Sequence, residues 1–253
     1  MAYTFKTNIA NKNNYGGFRS TDNIKYIVIH YTGNDGDTDE NNGKYFKDNI
    51  VKASAHYYVD DDSVTQSVPD NYVAWSVGGS KYSNCSTTMG GRYYGIINNT
   101  NSISIEICDD VKNGVVYPSA KTIENAVELT KSLMKKYNIP MPRVVRHFDV
   151  TGKPCPAYWC GTTEKNKKWL TEFWNKLGST QTSSFVPYKV KVICSALNIR
   201  KTPNWSASDV VGVIKDNGTY TIVAEKTLDG VKFGQLKSGS GWISLGDKYV
   251  KRV

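Results

Sequence analysis

Residues 25–30, Lys-Tyr-Ile-Val-Ile-His, are the stretch on which the reading of the fold turns. Tyr26 to Ile29 form a short apolar run rich in β-branched side chains, the pattern of a buried strand. His30 closes the run at its C-terminal end, where sheets commonly present site residues. A second run, Val144-Val145-Arg146-His147, repeats the arrangement over a shorter span. Cys155 follows after a loop containing Gly152, Pro154 and Pro156, whose proline rings restrict the local chain direction. Two imidazoles and a thiolate suit Zn²⁺, and three protein ligands leave a fourth position for water. A metal in that state lowers the pKa of its water toward neutrality. The same three residues also read as a core histidine, a histidine at a strand end and a buried free thiol. No CxxC pair or HExxH helix decides between the two readings.

Working outward, residues 102–107, Ser-Ile-Ser-Ile-Glu-Ile, alternate as a half-buried strand does. Ile103, Ile105 and Ile107 share one face; Ser102, Ser104 and Glu106 share the other. A carboxylate facing an activated water can take its proton and pass it to a leaving amine. A solvated glutamate on a strand face is the plainer alternative. Lys153, two residues before Cys155, is either a surface lysine or a cation placed to stabilise a developing oxyanion.

Five segments in order carry a family resemblance: IVIHYTG at 27–33, ASAHYYVDDDSVTQSVPD at 53–70, VAWSVGG at 73–79, NSISIEIC at 101–108 and RHFDVTGKPCP at 146–156. Together they resemble the zinc amidases that include T7-type lysozyme and the peptidoglycan recognition proteins, over about the first 177 residues. The resemblance implies an α/β fold, with a mixed central β-sheet flanked by helices. It implies cleavage of the amide between N-acetylmuramic acid and the L-alanine of the stem peptide. It implies one zinc on His30, His147 and Cys155, with Glu106 as proton carrier and Lys153 as oxyanion partner. The T7-type catalytic tyrosine has no counterpart, since Ala55 stands at its position ahead of His56, and the role is not carried onto Tyr57 or Tyr58. His56 reads as a structural histidine first, a substrate contact second and a fourth ligand last. Trp75 falls in the family's substrate-side loop and reads equally as a substrate contact or as core filling.

The remaining chain divides readily. Helices are expected over residues 38–51, 119–138 and 163–177. The last has an apolar stripe of Trp169, Leu170, Phe173, Trp174 and Leu177. Asp60-Asp61-Asp62-Ser63 reads as a hairpin turn, without the spacing or glycine of an EF-hand. The expected domains are 1–177, a polar linker at 178–187 and a β-rich module at 188–253. Seven short β-rich runs in that module, with turns between them, predict a small all-β barrel. ALNIRKTPNWSASDVVGVIKDNGTYTI and the later GWISL resemble bacterial SH3 domains, which implies peptidoglycan binding. Trp205, Tyr220 and Tyr249 are the aromatic candidates to line a groove there.

The chain of 253 residues carries a net charge of +9, most of it in the C-terminal module. A basic surface of that kind is drawn to polyanions, including anionic wall polymers. No zinc-finger, helix-turn-helix or RNA-recognition pattern accompanies it, so nucleic acid is not the expected partner. No apolar run reaches membrane-span length, so stable membrane insertion is not expected either. Residues 1–17 lack an apolar signal-peptide core, so the expectation is synthesis in a host bacterial cytoplasm and action on the wall after release, as for a phage endolysin. The odd count of five cysteines argues against a disulfide framework. A non-catalytic recognition protein on the same fold and a zinc hydrolase cutting another wall bond are the competing functions.

Overall fold

The computed structural model describes residues 3–178, 187–228 and 230–253. The chain forms two compact units, Met1–Thr180 and Gln181–Val253. Most of the expected linker lies outside the described residues.

The first unit runs β1 (Thr4–Thr7), β2 (Tyr15–Phe18), β3 (Tyr26–Tyr31), α1 (Asp39–Asp48), β4 (Tyr57–Val59), β5 (Ser63–Gln66), β6 (Tyr72–Ala74), α2 (Cys85–Thr88), β7 (Ser102–Ile107), α3 (Ala120–Lys136), β8 (Val144–Arg146) and α4 (His147–Thr151). Six of these strands make one sheet in the order β1-β5-β4-β7-β3-β8. The β4–β5 hairpin is antiparallel, and every other neighbouring pair is parallel, so the sheet is mixed as expected. β2 and β6 form a separate two-stranded ribbon. β1, β2, β6 and α2 were not legible in the sequence; each is short, and none carries a long apolar period.

Period-2 alternation sorts the sheet's residues. Ile27 and Ile29 of β3, and Ile103, Ile105 and Ile107 of β7, pack into one core with Ile123, Val127, Leu129 and Leu133 of α3. Ser119 caps α3 by accepting a hydrogen bond from Thr122 N, and Lys135 and Lys136 complement the dipole in its last turn. Val28 points the other way, into a smaller cluster with Val77, Val145 and Val150.

The helix expected over 163–177 is composite. α5 (Thr163–Lys168) passes through a π-helical stretch, Trp169–Trp174, into α6 (Asn175–Gly178). Trp169, Phe173 and Leu177 are buried, but Leu170 is exposed and Trp174 only partly covered. The wider π turn shifts the phase of the stripe, which an ideal helical period misses.

The second unit contains β9 (Tyr188–Val192), β10 (Leu197–Arg200), β11 (Val210–Ile214), β12 (Thr219–Leu228), β13 (Val231–Leu236), β14 (Trp242–Ser244) and β15 (Val250–Arg252). All seven predicted β runs are strands. They form an antiparallel sheet ordered β11-β10-β14-β13-β12-β9-β15. One core takes Leu197, Ile214, Ile222, Ile243 and Val250 from across this sheet, so the sheet must curl around it. Among the described residues no ladder joins β11 to β15, so the barrel is curled rather than sealed by hydrogen bonds.

Candidate active site

β3 and β7 pair in parallel with His30 opposite Glu106, so the apolar runs that build the sheet also deliver these two side chains side by side. Glu106 Oε1 lies 3.9 Å from His30 Nδ1. β8 ends at Arg146, and His147 is the first residue of α4 rather than the last of a strand. That turn is held from below. Buried Arg146 donates from Nε and Nη2 to the two carboxylate oxygens of Asp149, at 3.0 and 2.9 Å. Asp149 also accepts from Arg146 N. The resulting fork fixes the α4 N-terminus.

Cys155 is brought back to the same place by a hydrogen bond from Phe148 N to its carbonyl, 2.9 Å. The return turns at Gly152, with φ of 85°. A Cβ on Gly152 would stand 2.3 Å from Cys85 Sγ, so the position admits only glycine.

The result is a compact triad. One ligand atom each from His30, His147 and Cys155 fall within 4.8 Å of one another. Cys155 Sγ is 3.8 Å from His30 Nδ1, and the two imidazole centroids are 4.7 Å apart. All three residues are buried. His30 Nε2, both ring nitrogens of His147 and Glu106 Oε2 have no hydrogen-bond partner. Buried polar atoms are rarely left so, because each forfeits its hydration without replacement. Burial, joined by the charge of Lys153, pushes the His147 pKa down to about 4 and that of His30 well below its ordinary value. Both imidazoles are thus neutral with free lone pairs. Burial likewise pushes the Cys155 thiol up, which a coordinated cation would reverse. A donor set of two neutral imidazoles and a cysteine fits a divalent metal of zinc's type.

A cavity of about 550 Å³ opens beside the triad, and Glu106 and Lys153 both line it. Burial lifts the Glu106 carboxyl to about 8; Lys153 opposes the rise and Asp37 adds to it. Asp37 also ties the site together. It accepts hydrogen bonds from Thr32 Oγ1, Asn42 Nδ2 and Asp109 N, linking the ends of β3 and β7 to α1. Tyr58, in register with Glu106 one strand over and stacked on Phe46, lines the same cavity. Sequence reasoning assigned no role to Asp37 or Tyr58. The only signal for Tyr58 was strand register, which requires knowing that β4 neighbours β7.

A sequence comparison matches residues 20–158 to the family described as N-acetylmuramoyl-L-alanine amidase. The chain belongs to that family. The matched span contains His30, Glu106, His147, Lys153 and Cys155. Among relatives, it is 28% identical to N-acetylmuramoyl-L-alanine amidase BlyA of Bacillus subtilis strain 168, over 90% of this chain and 67% of that one. It is 34% identical to N-acetylmuramoyl-L-alanine amidase CwlL of Bacillus licheniformis, over 62% of this chain and 41% of that one. The chain therefore spans about two fifths to two thirds of these relatives' lengths. A solved mutant endolysin from Bacillus subtilis superposes with a TM-score of 0.53 at 28% identity, covering 70% of this chain and 99% of that one.

Other candidate residues of this family member fall elsewhere. His56 is fully buried, so a wall polymer cannot touch it. Its Nδ1 accepts from Ser104 N at 3.0 Å, and its Nε2 lies 2.8 Å from Arg19 Nη2. Burial thus removes the second reading of His56, a substrate contact, and leaves the first, a structural histidine. Trp75 follows β6, half-buried, with its indole over Gly16. It does not line the cavity, although Ser76 beside it hydrogen-bonds Ser104 Oγ on the Glu106 face of β7. In the second unit, Trp205 and Tyr249 line one small cavity. Tyr220 does not share it; its ring is partly packed on the core and its hydroxyl donates to Asp216. The expected three-aromatic groove reduces to two.

Proposed function

We propose that this chain is a zinc-dependent peptidoglycan hydrolase that cleaves the amide between N-acetylmuramic acid and the L-alanine of the stem peptide. The observation that carries the reading is the convergence of His30, His147 and Cys155, with their free donor atoms, beside a cavity lined by Glu106 and Lys153. Zinc held by those three residues supplies Lewis acidity for the scissile carbonyl and lowers the pKa of the attacking water.

The chain's own residues perform the rest. Glu106 takes the water proton on a carboxylate oxygen as the new C–O bond forms. Lys153, at the cavity wall, offsets the negative charge that develops on the carbonyl oxygen. Glu106 then returns the proton to the alanine nitrogen as the C–N bond breaks, so a carboxylic acid and a free amine leave. Burial raises the Glu106 carboxyl, which favours its return of the proton to the amine, and a cation held on the triad would oppose that rise and favour the carboxylate that accepts the proton. The Asp37 links at the end of β7 keep the carboxylate in place.

The second unit, with its resemblance to bacterial SH3 domains, holds the enzyme on the wall, with Trp205 and Tyr249 as its binding aromatics and with anionic wall polymers as further attractants for its basic surface. Action on the wall from outside, as by an endolysin, completes the reading.

Incubation with purified Gram-positive walls, with and without a zinc chelator, tests it. The expected result is chelator-sensitive release of stem peptides beginning with L-alanine, identified by mass spectrometry. Wall binding without new termini, from zinc-loaded protein, would instead establish a recognition protein. Any other new terminus would establish a different hydrolase.

A further inference from the structure

Arg200, the last residue of β10, is only 8% exposed. A guanidinium buried to that degree is normally matched by a carboxylate or a full set of acceptors. Among the described residues the Arg200 guanidinium has one hydrogen-bond partner, with Nη1 donating to Ser206 O at 2.9 Å. Its charge otherwise rests under the indole of Trp205, with Cζ 5.2 Å from the ring centroid. None of its nitrogens is sealed without a partner, so the unpaired donors reach open space. Arg200 lines a cavity of about 90 Å³ together with Asn198, Trp205 and Tyr249. Trp205 is seated on buried Phe233, centroids 5.0 Å apart, yet keeps 43% of its surface exposed.

We propose that this cavity is a carboxylate-binding subsite that takes the free C-terminal end of a short peptide whose last residue is small. The inference rests on the second unit being the wall anchor and names what it grips. A guanidinium fork matches a carboxylate through paired N–H···O bonds. Trp205 and Tyr249 offer flat apolar walls to a methyl-sized side chain, and Asn198 is placed for the preceding peptide group. The cavity holds about three waters' volume, enough for a carboxylate and a small side chain. So small a cavity receives a chain end, whereas a wall phosphodiester lies between two polyol units.

The test titrates the full-length protein with Ala-Ala, with its C-terminal amide and with glycerol phosphate, following the Trp205 indole resonance by NMR. Saturable binding of Ala-Ala is expected, with the amide about tenfold or more weaker. Trp205→Ala, followed through the backbone amide of Asn198 in the same cavity, and Arg200→Lys should each weaken Ala-Ala while the remaining amide spectrum stays folded. Since the amide comparison needs no variant, a misfolded Arg200→Lys does not protect the proposal. Equal binding of acid and amide, no saturable shift with Ala-Ala, or glycerol phosphate binding more tightly than Ala-Ala would each overturn it. Co-sedimentation with walls tests the anchor separately. Pelleting that both variants leave unchanged sinks the subsite and spares the anchor; no pelleting, with Ala-Ala still bound, sinks the anchor alone.

Discussion

One strand, β7, has two faces that follow opposite rules. Ile103, Ile105 and Ile107 look toward α3 and are buried among apolar neighbours. Ser102, Ser104 and Glu106 look the other way, toward His30, and there buried polar atoms lack partners. The first face packs into an apolar core whose one unpartnered polar atom among the described residues is the Tyr158 hydroxyl. The second leaves Glu106 Oε2 and three imidazole nitrogens waiting. A fold tolerates such a deficit where something outside the chain completes it, and the contrast therefore separates what makes the protein stable from what makes it act.

The sharpest way to break this division is Glu106→Gln. The amide keeps the shape but carries no transferable proton, so turnover of walls should fall by about 10²–10⁴-fold. Thermal melting and bound zinc should change little. Loss of zinc or cooperative unfolding in this variant would show that the polar face is also structural.

Ile105→Ala makes the complementary change on the opposite face. Ile105 is fully buried beside α3. The lost methyl groups and the resulting cavity should cost about 2–5 kcal/mol of unfolding free energy. Activity per folded molecule should stay near that of the parent. Chemical denaturation read alongside a rate normalised to the folded fraction checks both halves; a rate that falls with stability intact would refute the division.

His56 sits between the two regimes, on the polar face yet fully hydrogen-bonded. Burial, with the Arg19 charge beside it, pushes its pKa down to about 3. The folded ring stays neutral while the unfolded ring gains a proton below about 6.5. Stability is therefore intact above that value and declines as pH falls toward 3, by about 3 kcal/mol at pH 4. Denaturation of the parent and of His56→Gln at pH 7, 5.5 and 4 isolates the term. A shallower acid slope in the variant is expected, and parallel slopes would remove His56 from the account.

Much of this division could be read from the chain. The alternation at 102–107 set out both faces, whereas the runs ending in His30 and His147 left two readings open and only the family resemblance drew them to one site. What stayed hidden depended on neighbours distant in sequence. Arg19 is 37 positions from His56, so no local pattern couples them. The same holds for Asp37 and Asp109, 72 positions apart. The exposure of Leu170 was missed because a π turn has no period that apolar spacing announces. Tyr220 was grouped with Trp205 and Tyr249 on residue type alone, and the curl of the sheet places it elsewhere.

The smallest effect tests how independent the faces are. Ser119 Oγ accepts from Thr122 N at the start of α3, and Ser119 N donates to Asp110. Ser119→Ala removes the first bond and keeps the second, so the expected loss is about 1 kcal/mol. α3 shares its core with the apolar face of β7, Ile123, Ala126 and Val127 being buried in one cluster with Ile103, Ile105 and Ile107. A loosened cap should thus lower the melting temperature while the normalised rate and its zinc dependence hold. If the rate falls in proportion to the lost stability, strain passes through β7 from one face to the other. Glu106 would then owe its position to the helix behind it as well as to the Asp37 links beside it.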